Sequence, residues 1–356
     1  MKITVLSRYG RLGASSRLRV MQYLPCLQEN GMVVTQHSLL DDRYLGALYE
    51  GRRAYRAVLN GYFGRILAVL KSRSSDLVWL EKEAFPWVPS LVEFGLLPRN
   101  TPLVIDIDDA VFHRYDLNGN LFVRSILGRK LDYLMRRARL VMAGSAYLVE
   151  RARAAGCDWV EHVPTVVDLV RYPGLPKSSV SRNETVIGWI GSPSTAHYLH
   201  LVSPVLSALA HRYPIRCVAV GARVDQVKET PFQAVPWSER TEAEILQEMD
   251  IGIMPLPDGP WERGKCGYKL IQYMASRTPI IASGVGENRD IVKNGVNGFL
   301  AGTYEEWRSR IEELVRDADL RERMGNQGRR IVEREYCLNV LAPRVCALLK
   351  AAAIPT

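Results

Sequence analysis

The chain has 356 residues, 47% hydrophobic and 24% charged, with 47 Lys and Arg against 38 Asp and Glu for a net charge of +9. That composition excludes a disordered chain, which lacks the apolar residues to bury a core, and at roughly 100–200 residues per domain the length predicts two domains. The charge is uneven, since residues 1–180 hold 25 Lys/Arg and 17 Asp/Glu while residues 181–356 hold 22 and 21.

The first expected strand, Ile3–Ser7, runs into SRYGRLGASSRLR. Gly10 and Gly13 precede a helix whose cap is expected at Ser15 or Ser16. Such a turn can bring backbone N–H groups against a phosphate, with Arg17 and Arg19 in the first helical turns. Neither GxGxxG nor GxxxxGK[ST] is present, which disfavours a dinucleotide enzyme or a P-loop ATPase. The plainer reading is a turn with solvated arginines.

After a strand over Met32–His37, the stretch from Gly51 to Ser74 places Tyr55, Val58, Leu59, Tyr62, Ile66, Leu67 and Leu70 on one helical face, accompanied by Arg52, Arg53, Arg56, Arg65, Lys71 and Arg73. A basic amphipathic helix suits the interface of an anionic bilayer. The alternative is an ordinary helix packing its apolar face on a sheet. Further strands are expected over Leu77–Leu80, Leu103–Ile107, Leu140–Ala143 and Val160–Val163. The second of these four runs into Asp106, Asp108 and Asp109 within IDIDDA, at the strand end where α/β folds carry functional groups. A divalent metal there lacks further ligands nearby, and binding of a sugar hydroxyl is the better expectation.

Residues Tyr172 to Asn183, rich in Pro, Gly and Ser, read as a linker, with a boundary near 180. The second half repeats the pattern with strands over Val186–Ile190, Arg216–Val220, Gln233–Val235, Ile251–Pro255, Pro279–Ala282 and Gly298–Leu300. Thr241 and Glu244 are expected to form a capping box. Helices are expected over 303–316 and 319–336, with a last one from Asn339 to Ala353 interrupted by Pro343. Strands alternating with helical segments predict two wound α/β domains with parallel sheets. The six cysteines show neither CxxC nor zinc-ligand spacing, the usage of a reduced compartment. The start reaches charge and glycine too early for a secretory leader, and no apolar run approaches the ~20 residues of a spanning helix.

The loop GPWERGKCG opens a helix whose unpaired N–H groups face back toward it, with Lys265 before the helix and Lys269 in its first turns. That arrangement suits an anion. The block around it resembles the carboxyl-terminal signature of the glycosyltransferase group 1 family, family 4 of the retaining GT-B enzymes. The resemblance rests on Tyr273-Met274-Ala275, Thr278 to Ser283, Gly286, Asp290-Ile291-Val292 and Asn294 to Leu300, flanked by His162 to Asp168 and Gly188 to Gly191. It implies an α/β GT-B fold, two Rossmann-like domains facing each other across a cleft. Residues 1–180 would bind the acceptor, 181–335 the nucleotide sugar, and 336–356 would form a helix crossing back to the first domain.

The family pattern carries two glutamates eight positions apart, on donor sugar and ribose, where this chain has Gly264 and Gln272. Glu262 is the nearby candidate for the first role, and the Gln272 amide can still bond ribose hydroxyls. The family's Arg and Lys pair after the first strand of the second domain is replaced by GSPSTAHYL, so Gly191, Ser192, Ser194 and Thr195 offer backbone and hydroxyls instead. The cation role passes to Lys265 and Lys269, with Arg17 beside Gly13. Where the family keeps a histidine, this chain has Asp108, with His113 five residues on.

The resemblance therefore implies a retaining, metal-independent sugar transfer from a nucleotide sugar to a glycan or lipid-linked acceptor, with no cofactor. Asp108, Glu262 and Lys269 are the catalytic candidates. Gly13, Arg17, Gly191, Ser192, Trp237, Gly264, Lys265, Cys266, Gly267 and Gln272 are the donor-binding candidates, Trp237 as a stacking surface for the base. A GT-B-like accessory subunit without turnover, or a nucleotide-sugar epimerase or hydrolase, is the alternative. Charge alone suggests nucleic acid, and no helix-turn-helix, zinc finger or aromatic platform pattern supports it. The expected location is the cytoplasm, with the inner face of the membrane as a candidate surface.

Overall fold

The computed structural model describes residues 1–173 and 184–354, so most of the expected linker lies outside the described residues. The chain forms two compact units. The first comprises Met1–Thr165, Arg263–Cys266 and Leu338–Thr356, and the second Val166–Glu262 and Gly267–Cys337. The expected boundary near 180 is thus displaced to 166, because Val167 and Tyr172 are buried in the core of the second unit. The expected donor domain 181–335 also yields residues 263–266 to the first unit.

The first unit holds β1 (Lys2–Tyr9), β2 (Val33–Leu40), β3 (Leu77–Glu81), β4 (Leu103–Ile107), β5 (Leu140–Ala143) and β6 (Val160–His162), all parallel, in the order β2-β1-β3-β4-β5-β6. The second holds β7 (Thr185–Ile190), β8 (Ile215–Val220), β9 (Phe232–Val235), β10 (Ile251–Met254), β11 (Ile280–Ala282) and β12 (Gly298–Leu300), parallel in the order β12-β11-β10-β7-β8-β9. Helices cover both faces of such sheets, so their strands read as unbroken apolar runs. Residues on β4 and β7 are buried throughout. The strand order reverses between β1 and β3 in one sheet and between β7 and β10 in the other, and ligands of open α/β sheets bind beyond the carboxyl ends at these points.

Several local expectations change. Gly13, not Ser15 or Ser16, is the cap of the helix Ala14–Arg19, and neither serine caps it. Both hydroxyls donate instead to the Glu81 carboxylate at the end of β3. The Gly10–Gly13 turn is filled by Asp42, whose carboxylate accepts the Leu12 N–H at 2.9 Å, a poor neighbour for a phosphate. Thr241 stands at the cap of the helix Glu242–Glu248 without a side-chain capping bond, because its hydroxyl pairs with that of Ser238 at 2.6 Å. The last helix, Leu338–Ala352, continues through Pro343. Within the basic segment the helix is Tyr55–Lys71, and only Arg65, Ala68 and Val69 are buried. Tyr55, Leu59, Phe63, Leu67 and Leu70 face solvent, so ordinary packing accounts for only part of the apolar surface. Among the described residues no helix is long and apolar enough to cross a membrane.

Candidate functional site

In the second unit β7 and β10 pair only at Ile187–Ile251 and Gly188–Gly252. Beyond these pairs the Tyr273 hydroxyl takes over, accepting the Ile190 N–H at 3.0 Å and donating to the Ile253 carbonyl at 3.1 Å. Gly252 permits this approach, since a Cβ there would lie 2.4 Å from the Tyr273 ring. The strands therefore part at their carboxyl ends with their polar groups satisfied by a side chain, at the reversal point beyond which open α/β sheets bind ligands.

Gly191 follows β7 there. A Cβ at this position would lie 2.3 Å from the Trp189 ring and 2.7 Å from Lys269 Nζ, so only the bare backbone fits beside the ammonium. Lys269 Nζ itself stands over the Trp189 ring, 4.3 Å from its centroid, a cation–π contact that fixes the charge. Lys269 is on the helix Tyr268–Ala275, whose cap is Gly267 at φ 63. The first N–H groups of that helix have no partner within it, and its positive end favours an anion.

The neighbouring strands complete this end of the sheet. Gly221 after β8 lies against the Gly191 carbonyl and Trp237. Trp237 donates its indole N–H to Glu242 at 2.7 Å. Glu242 also accepts from the Tyr172 hydroxyl at 2.9 Å, and Tyr172 in turn accepts from the Gln272 amide at 3.0 Å. Gln272 is thus buried and tied through two residues to Trp237. The Ser192 and Ser194 hydroxyls pair at 2.8 Å, and Tyr198 donates to the Glu262 carboxylate.

In the first unit the carboxyl end of β4 carries a network of buried charges. Asp106 takes a two-pronged bond from Arg19 at 2.7 and 3.2 Å, and burial raises its pKa to about 6 against that pairing. Asp108 pairs with Lys82 at 2.9 Å. Burial pushes the Asp108 carboxyl up, but Lys82 and Arg19 outweigh it and hold it below the ordinary range. Asp109 is pushed up by burial and then by Asp108, with Lys265 drawing it down. Burial, followed by these two carboxylates, raises the Cys266 thiol to about 11, and its sulfur accepts from the Thr165 hydroxyl at 3.3 Å. His113 bonds Asp116 at 2.7 Å and Tyr147 at 2.8 Å.

Gly264 has a steric explanation. A Cβ there would lie 2.4 Å from that of Ala110, so no glutamate fits in the place where the family pattern carries one.

The structure gathers Gly191, Trp237 and Lys269 at one sheet end, with Gln272 behind them. It sets Asp108, Gly264, Lys265 and Cys266 in the first unit and holds Glu262 through Tyr198 in the second. Gly13 and Arg17 also belong to the first unit, where Arg17 is buried and donates to the Arg11 carbonyl at 2.9 Å; its guanidinium is turned into the fold. Sequence reading missed Lys82, Tyr172, Tyr198 and Glu242. Each acts through partners that no local motif marks.

Residues 184–317 match the family model described as "Glycosyl transferases group 1". Over 84 residues the chain is 32% identical to the capsular polysaccharide biosynthesis glycosyltransferase CapM of Staphylococcus aureus, a stretch that is 23% of this chain and 22% of CapM, so the match spans about a fifth of that relative. Among solved structures, HepE of Anabaena in complex with UDP and glucose superposes with a TM-score of 0.70 at 17% identity, covering 99% of this chain and 100% of HepE. Sucrose-phosphate synthase of Thermosynechococcus elongatus superposes with a TM-score of 0.75 at 13% identity, covering 99% and 98%. The chain therefore has the GT-B fold, and within it residues 184–317 are similar to the group 1 glycosyltransferases.

Proposed function

We propose that the protein transfers a sugar, with retention, from a nucleoside diphosphate sugar to a hydroxyl of a glycan or lipid-linked acceptor, without a metal or other cofactor. The observation that carries this reading is the carboxyl end of β7. There the Lys269 ammonium, held over Trp189 beside the side-chain-free Gly191, and the helix start at Gly267 favour an anion. In a retaining transfer the leaving diphosphate can take the acceptor's proton on the face where it departs, so the protein's main task is to stabilise charge growing on the leaving oxygen. A fixed lysine and a helix N-terminus supply that stabilisation where it develops.

Trp237, steadied by Glu242, is assigned to the base, and Gln272 to the support of that wall rather than to direct charge. Asp108, held ionised by Lys82, is assigned to a hydroxyl of the transferred sugar. Glu262, oriented by Tyr198, takes the polar role that Gly264 cannot. HepE, crystallised with UDP and glucose, makes UDP the first nucleotide to test.

The exposed apolar row Tyr55, Leu59, Phe63 and Leu67, beside exposed Arg52, Arg53 and Arg56, supports reversible docking on an anionic membrane face. Sedimentation with vesicles containing phosphatidylglycerol, but not with phosphatidylcholine alone, is the expected result. Donor binding is tested by calorimetry with UDP, GDP and dTDP in the presence of EDTA. Binding of at least one is expected, and failure of all three removes the transferase reading.

A further inference from the structure

Of the loop after β3, only Lys82 enters the site described above. The loop reads Lys82 to Trp87, and two of its six residues, Lys82 at φ 63 and Trp87 at φ 61, hold the left-handed backbone that L side chains avoid. Such a conformation costs on the order of 1–3 kcal/mol per residue and persists only where surroundings impose it. For Lys82 the reason is its pairing with Asp108. Trp87 requires another, because glycine would hold the same turn without strain.

Everything around Trp87 fixes the backbone while leaving the ring outside. The Ala84 N–H donates to Glu93 at 2.6 Å, Lys130 donates to the Phe85 carbonyl, Tyr62 donates to the Pro86 carbonyl at 2.6 Å, and the Trp87 N–H donates to the Tyr115 hydroxyl at 3.1 Å. Lys130 is fully buried between Glu83 and Glu93 at 2.8 and 2.9 Å, which makes the anchor rigid. Residues 81–86 are buried, yet Trp87 is 53% exposed. Its indole stands edge-on to Tyr115 with centroids 5.1 Å apart and planes at 81°, so the orientation of the ring is set.

We propose that Trp87 is a stacking platform for a sugar ring of the acceptor. The loop lies at the carboxyl end of β3, beside the point where the strand order of this sheet reverses. An aromatic face is electron-rich and meets the partly positive C–H face of a pyranose well, an interaction that needs a fixed plane. A bilayer contact needs only an amphipathic side chain and gains nothing from an oriented one. Preorganisation by the anchor lowers the ordering cost of binding. This assignment names the acceptor's chemistry and rests on the transferase reading.

The test uses the full chain on an array of immobilised oligosaccharides, with UDP titrated separately into the same preparations. Trp87→Gly removes the ring while suiting the backbone, and Trp87→Phe restores an aromatic face. Wild-type protein is expected to retain at least one saccharide, Trp87→Gly to bind it roughly tenfold more weakly, and Trp87→Phe to recover part of the loss, with UDP affinity unchanged in all three. Equal retention by Trp87→Gly overturns the proposal. So does wild-type protein that binds UDP but no saccharide, or a Trp87-dependent response to phosphatidylglycerol vesicles alone. Ring-dependent saccharide binding without UDP binding upholds the platform while removing the transferase reading.

Discussion

The two sheets end in opposite electrostatic designs. In the first unit the carboxyl ends are crowded with buried ion pairs: Arg19 with Asp106, Lys82 with Asp108, and Lys130 between Glu83 and Glu93. In the second, the corresponding end is glycine backbone and hydroxyls, with a lysine resting on an indole. A buried ion pair satisfies its own members and orients what surrounds it, whereas an ammonium held on an indole beside a helix N-terminus suits an anion. The net charge of +9, concentrated in residues 1–180, is therefore a poor guide to which sheet end suits an anion.

Breaking a pair in the first unit should have the largest effect. Lys82→Met leaves Asp108 buried without its cation and is expected to cost about 3–5 kcal/mol of stability, measured by urea unfolding. A loss below 1 kcal/mol would mean that Asp108 is neutral or hydrated and that the contrast between the units is overstated.

The matching change in the second unit should spare the fold and damage binding. Lys269→Ala is expected to raise the UDP dissociation constant by roughly 10–100-fold, since charge-assisted bonds to phosphate are each worth about 1.5–3 kcal/mol. The melting temperature should move less than in Lys82→Met, because the ammonium rests on the Trp189 indole. Equal affinity in calorimetry would remove Lys269 from the site.

Gly264→Glu sharpens the comparison within the first unit. Restoring the residue of the family pattern forces a side chain against Ala110, and a destabilisation of about 1–3 kcal/mol with no gain in transfer is expected. Higher activity in that variant would show that the glycine is a loss rather than an accommodation to Ala110.

The strands were readable because parallel strands covered on both faces are continuous apolar runs. All twelve strands among the described residues fall where those runs predict, with ends shifted by no more than a few positions. Glycine spacing and the lysines around residue 267 were legible for the same local reason. What could not be read is what depends on distant partners. Ser15 and Ser16 have the chemistry of helix caps, yet Glu81, more than sixty positions away, draws both hydroxyls. The domain boundary was misplaced because composition marks a flexible stretch, while Val167 and Tyr172 before it are already committed to the second core. Tyr198 and Glu242 carry no motif, and their roles exist only through Glu262 and Trp237.

The smallest expected effect concerns Cys266. Its pKa of about 11 keeps it a thiol at neutral pH, and raising the pH toward that value increases the thiolate fraction tenfold per unit. Alkylation by iodoacetamide at pH 8 should therefore be slower than that of free glutathione and should climb steadily to pH 10. A plateau before pH 9 would show that burial, with Asp108 and Asp109 behind it, does not hold the thiol up.

The central claim is that the second unit's sheet end, built on Gly191 and Lys269, receives the diphosphate. Hydrogen–deuterium exchange of the full chain with and without UDP tests it most directly. Slower exchange in segments 188–195, 219–222 and 266–272 is predicted. Unchanged exchange there, or protection confined to the turn at 10–13 in the first unit, would contradict it.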